Sequence, residues 1–139
     1  MVRRPKTVAG ERTEAAHHLA KAQQFLDVAR VALRDQLCDA AMLNAIHAGI
    51  SAADAVTITI IGERSADPDH QRAVNLLEEA GGDSEVVRAR ARQLRMLIQM
   101  KNAVEYASRR ASLDEAAHAV ERAERVVAWA RDAVVSGRV

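Results

Sequence analysis

With 139 residues, 49% hydrophobic and 28% charged, the chain is long enough to close one core and too apolar for a disordered protein. A net charge of +1 excludes a molecule-wide field for nucleic acid or membrane, and a lone cysteine, Cys38, excludes an internal disulfide and a cysteine zinc site. Aromatics are limited to Phe25, Tyr106 and Trp129, so alanine, leucine and valine must build the core, which favours helices.

Residues 1–12 carry Arg3, Arg4 and Lys6 with no apolar stretch behind them, which reads as a flexible tail rather than a secretory leader. Residues 13–136 read as one helical domain. The first helix is predicted from near Thr13, with Leu19, Ala22, Leu26, Ala29, Leu33 and Leu37 recurring at three and four. The second covers residues 39–61 and stops at Gly62. Its length and apolarity raise the question of a membrane span, but Asn44, His47 and Asp54 interrupt it, so it is expected at the centre of a bundle with no membrane partner.

A loop over residues 62–68 follows, with Asp67 as helix cap and Pro68 at the first helical position. The third helix is short, burying Ala73, Val74, Leu77 and Ala80, and Gly81–Gly82 ends it. Asp83 or Ser84 opens the fourth. Ser112 and Glu115 read as a capping box for the fifth, whose stripe is Leu113, Ala116, Val120, Ala123, Val127, Ala130 and Val134. About five helices with short connections imply an all-α antiparallel bundle.

Two polar stripes interrupt this pattern. On the second helix, Asn44, His47, Ser51 and Asp54 share one face, serving either an internal hydrogen-bond network or a ligand site. On the fourth, Arg88, Arg92, Arg95, Gln99, Asn102 and Tyr106 form a ribbon, either solvated or able to grip phosphates with guanidinium forks. Arginine and lysine dominate residues 86–110, where Glu105 is the one acid. If the two edges share a groove, its ligand-binding set is His47, Asp54, Arg92, Arg95, Gln99, Lys101, Asn102 and Tyr106. His17 and His18 are adjacent in sequence and cannot chelate one metal together. No metal site and no cofactor are expected, and Met96 and Met100 read as core filler.

Three segments resemble the HEPN domain, a helical bundle of prokaryotic defence and toxin–antitoxin proteins. They are Ala45 to Ala55 of the second helix; Gly62-Glu63-Arg64-Ser65 through Asp69-His70 to Leu77; and Leu97 to Tyr106. The resemblance implies a dimerising domain whose active ribonucleases cleave RNA without metal, through an arginine, four to six residues, then a histidine. On the fourth helix this chain has Lys101, Glu105 and Tyr106 in the expected region and no histidine. Arg64 and His70 satisfy the spacing with five residues between, in the loop before the third helix. The leading expectation is therefore a cytoplasmic, non-catalytic homodimer that binds nucleotide, RNA or a partner protein in a defence or toxin–antitoxin context. The alternatives are a metal-independent ribonuclease, using Arg64 and His70 or a site around Lys101 and Tyr106, and a purely structural interaction module.

Overall fold

The computed structural model describes residues 6–139. Five helices, α1 (Arg12–Arg34), α2 (Cys38–Ile61), α3 (His70–Gly81), α4 (Glu85–Tyr106) and α5 (Leu113–Ser136), are accompanied by two short strands, β1 (Thr7–Ala9) and β2 (Glu63–Ser65).

Helix α2 is the axis of the bundle, in contact with α1, α5, α3, α4 and β2. Small apolar residues around its whole circumference allow this, with Ala41, Ala45, Ala48, Ala52 and Ala55 fully buried. It is the one helix among the described residues long and apolar enough to cross a membrane, and most of that surface is covered by its neighbours. At Gly49 a side chain would meet Leu94 Cδ2 at 2.6 Å, so the glycine is what lets α4 close onto α2. Gly62 ends α2 in the left-handed region at φ 68°, its N–H donating to Ile58 O.

The predicted boundaries of α2, α4 and α5 agree with the structure to within a residue or two. Ser84 caps α4 by accepting from the Val87 N–H. The capping box of α5 is present: Ser112 Oγ accepts from the Glu115 N–H at 3.1 Å and Glu115 Oε1 accepts from the Ser112 N–H at 2.9 Å. Arg109 then forks onto both Glu115 oxygens, at 2.7 and 2.9 Å, closing the α4–α5 turn. These bonds and the guanidinium charge hold the Glu115 carboxyl down at about 2.

Four expectations need correction. The N-terminal segment is not a free tail throughout: Thr7–Ala9 pairs antiparallel with Glu63–Ser65, Val8 opposite Arg64, and the Gly10 N–H donates to Gly62 O. Residues 1–5 of that predicted tail lie outside the described residues. Helix α3 begins two residues late, because the Asp67 carboxylate accepts from the Asp69 N–H in a turn of its own, leaving Asp69 to cap the helix through the Gln71 N–H. Leu37 is 58% exposed, since α1 has already ended and Leu37 precedes α2. Met96 is 47% exposed rather than core, whereas Met100 packs on the core and its sulfur accepts from Arg122.

Candidate functional site

The turn between α1 and α2 spans only Asp35 to Leu37, so the two helices run back along each other and their facing residues are fixed. Phe25 of α1 comes to rest against His47 of α2, ring centroids 5.3 Å apart. His70, the first residue of α3, places its ring edge-on to His47 at 5.7 Å and 88°. About two turns along α2 from His47 lies Asp54. Lys21 on the exposed rim of α1 acts electrostatically on both His47 and Asp54. Arg64 of β2 acts on Asp54 and on His18. The result is a polar seam between α1 and α2, closed over by β2 and the start of α3.

Burial and positive charge set the protonation of this seam. Burial first, then the neighbouring His70, Lys101 and Lys21, holds His47 below its ordinary value, so its imidazole is neutral at pH 7. His18 is lowered by burial, Arg64 and Lys21, with Glu14 opposing. Asp54 goes the other way: burial outweighs the pull of Arg64 and Lys21 and pushes its carboxyl up to about 7. Arg64 Nη1 donates to Ser65 O at 3.2 Å, but its Nε–H is buried with no partner. Orphaned donors of this kind cost about 1–3 kcal/mol or more when charged. The seam thus combines a neutral imidazole, a second imidazole against it, a carboxyl poised near neutrality, and two cations in no ion pair among the described residues.

The model of the HEPN domain family matches residues 15–133. The chain belongs to the HEPN domain family. No curated protein and no solved structure matches it. The HEPN match runs from Ala15 near the start of α1 to Ala133 near the end of α5, enclosing the whole seam and leaving β1 outside.

Within this HEPN domain the expected groove between the polar edges of α2 and α4 is not formed. Helix α4 packs inward through Val87, Ala91, Leu94, Leu97 and Ile98, which turns its arginine ribbon away from α2. Arg95 pairs instead with Glu78 and Asn75 of α3. Arg92 is exposed beside Asn75, Glu78 and Glu79 in a shallow groove between α3 and α4. Gln99 and Asn102 face solvent, and Tyr106 is 94% exposed. Lys101 forms an ion pair with Glu105 at 2.9 Å and is the one member of that helix whose charge reaches His47. On α2, Asn44 donates to its own helix at Ala40 O and Ser51 is buried. The eight-residue ligand set therefore divides, and His47 and Asp54 join Arg64 and His70. His18, Lys21 and Phe25 complete the seam from α1; their spacing of three and four puts them on one face, a signal present in the sequence but silent about what that face meets. No group of three metal-binding side chains exists among the described residues.

Proposed function

We propose that this HEPN domain protein binds phosphate groups of a nucleotide or RNA at the α1–α2 seam, as a cytoplasmic homodimer in a defence or toxin–antitoxin setting. Family membership supports a nucleotide-related role of the defence or toxin kind in general. The observation that carries the reading is the meeting of Arg64 and Lys21, two cations in no ion pair among the described residues, with Asp54, His47 and His70. A guanidinium fork and an ammonium point charge are suited to phosphate oxygens.

A second reading, metal-independent RNA cleavage, is favoured by one specific contact: His70, at the required spacing from Arg64, lies against a second imidazole, His47. In such a reaction the 2′-oxygen attacks phosphorus, one imidazole takes its proton, the other delivers a proton to the departing 5′-oxygen, and Arg64 offsets the charge that develops. The products are a 2′,3′-cyclic phosphate and a 5′-hydroxyl.

Fluorescence anisotropy with a labelled oligouridine and its uncleavable 2′-O-methyl form tests binding. Affinity is expected to fall as salt rises and to be lost in Arg64→Ala. No binding even at low salt refutes the proposal. Incubation of the oligouridine with chelator tests cleavage: loss of cleavage in both His70→Ala and His47→Ala supports it, and intact RNA with the wild-type protein ends that reading. Sedimentation decides the dimer.

A further inference from the structure

Strand β1 lies outside residues 15–133, the part of the chain that the family model matches, yet it is tied to the strand that carries Arg64. Backbone bonds fix its register at both ends: the Gly10 N–H donates to Gly62 O at 2.8 Å, and the Ala66 N–H donates to Lys6 O at 2.9 Å. Bonded and unbonded pairs alternate along an antiparallel ladder, so Val8 and Arg64, midway between those two, are a directly bonded pair. Side chains alternate between the two faces as well. Lys6, Val8 and Arg64 therefore share one face, with Lys6 the diagonal neighbour of Arg64 across the strands, while Thr7, Ala9, Glu63 and Ser65 lie on the other. Diagonal neighbours stand about 7–8 Å apart, within reach of two long side chains.

The face so formed is cationic and open at its Lys6 end. Lys6 and Ala66 are exposed, Val8 is 39% exposed, and neither Lys6 nor Arg64 is in an ion pair among the described residues. Arg64 also keeps a buried Nε–H with no partner. Nearby acids do not answer these cations. Glu63 is on the opposite face, Asp67 accepts from the Asp69 N–H, and the Glu14 carboxylate approaches the ladder at Gly10, the end away from Lys6. We propose that β1 belongs to the binding site, where Lys6 and Arg64 hold two successive phosphates of a single RNA strand. A sugar separates successive backbone phosphates, which suits two cations on diagonal positions. The two phosphates of a nucleoside diphosphate share one oxygen and lie closer together than that. The inference deepens the phosphate-binding reading and rests on it, narrowing the ligand from a nucleotide to a strand with at least two phosphates. Without β1 docked on β2, Lys6 is not carried to Arg64.

The probe is a labelled 2′-O-methyl oligouridine, which cannot be cleaved at a 2′-hydroxyl, titrated with the full chain over a series of salt concentrations. Each phosphate contact to a single strand adds about 0.7 to the steepness of log affinity against log salt. Lys6→Gln should lower that steepness by about 0.7 and weaken binding at low salt, while Lys6→Arg keeps the wild-type value. Arg125→Gln removes one positive charge from the surface of α5 and should change nothing. Val8→Pro deletes the N–H that faces Arg64 O and frees the strand, so its steepness should fall at least as far as that of Lys6→Gln. A 5′-phosphorylated uridine dinucleotide and uridine diphosphate carry two phosphates each, and the dinucleotide should compete more strongly for the probe. A wild-type steepness in Lys6→Gln or in Val8→Pro overturns the inference, as does an equal loss in Arg125→Gln or equal competition by the two ligands. Lys6 is exposed, so its variants leave the core untouched. Any of those results, with binding still lost in Arg64→Ala, removes only this inference; no wild-type binding at any salt removes the phosphate reading with it.

Discussion

Replacing Asp54 by asparagine should stabilise the protein, and by an amount that depends on pH. Unfolded, the carboxyl ionises at its ordinary 3.8; folded, it does so at about 7, because burial disfavours its charged form. Below about pH 4 it is protonated in both states and contributes nothing. Between those two values the unfolded chain releases its proton while the folded chain keeps it, so stability declines as pH rises. Above the folded value the full cost is present. Some three pH units at about 1.4 kcal/mol each amount to up to about 4 kcal/mol. Asparagine keeps the shape and cannot ionise, so Asp54→Asn should be near neutral at about pH 4 and stabilising by up to about 4 kcal/mol at about pH 8. His18 and His47, lowered in the fold, cost stability on the acid side in both proteins, and the difference between the two curves cancels them. Urea denaturation at the two pH values, read at constant m, measures the difference. A difference that does not change with pH, or a variant less stable at about pH 8, refutes the reasoning.

Ser112→Ala removes one half of the α5 capping box and should cost about 1 kcal/mol, seen as a lower urea midpoint with unchanged m. Gly49→Ala drives a methyl to 2.6 Å from Leu94, which is fully buried; overpacking of about 1–3 kcal/mol exceeds the gain in helix propensity of about 1 kcal/mol, so thermal unfolding should occur earlier. Arg92→Glu with Arg95→Glu should leave affinity for oligouridine within about threefold of wild type, because Arg95 is already engaged by Glu78 and both residues lie away from the seam. Loss of binding in that double variant, with Arg64→Ala unaffected, would move the phosphate site to the α3–α4 groove.

The helices were legible because their chemistry is local. Alternating small apolar residues define α2, and Ser112 with Glu115 specifies the start of α5 whatever surrounds it. What surrounds an element is another matter. Arg92, Arg95 and Gln99 repeat at the same spacing whether their ribbon faces a groove or water, and only the inward packing of Leu94 and Leu97 decides it. The β1–β2 pairing is three residues long on each side, too short for an alternating pattern to register. Arg64 and His70 could be matched by spacing but not placed: their partners come from the antiparallel register of α1 against α2, which brings Phe25 to His47 and Lys21 within reach of Asp54.

Elsewhere in the bundle several buried or half-buried polar groups are answered, the Arg90 Nε–H on α4 being one that is not. Thr57 and Thr59 donate to carbonyls one turn back, Asp39 accepts from the Ala111 N–H at 2.8 Å, and Arg95 has both Glu78 and Asn75. Within the seam the Arg64 Nε–H is unanswered and the Asp54 side chain has no hydrogen-bond partner among the described residues. A bundle of this kind can carry the cost because α2 buries aliphatic surface around most of its circumference, which offsets a few kcal/mol of unsatisfied polarity. Arg64 is held by the β1–β2 ladder and Asp54 by a helix packed on several sides. A buried donor left unanswered is a destabilising feature of the fold, and a phosphate bound at Arg64 would offset that penalty. Oligouridine should therefore raise the melting temperature of the wild-type protein more than that of Arg64→Ala.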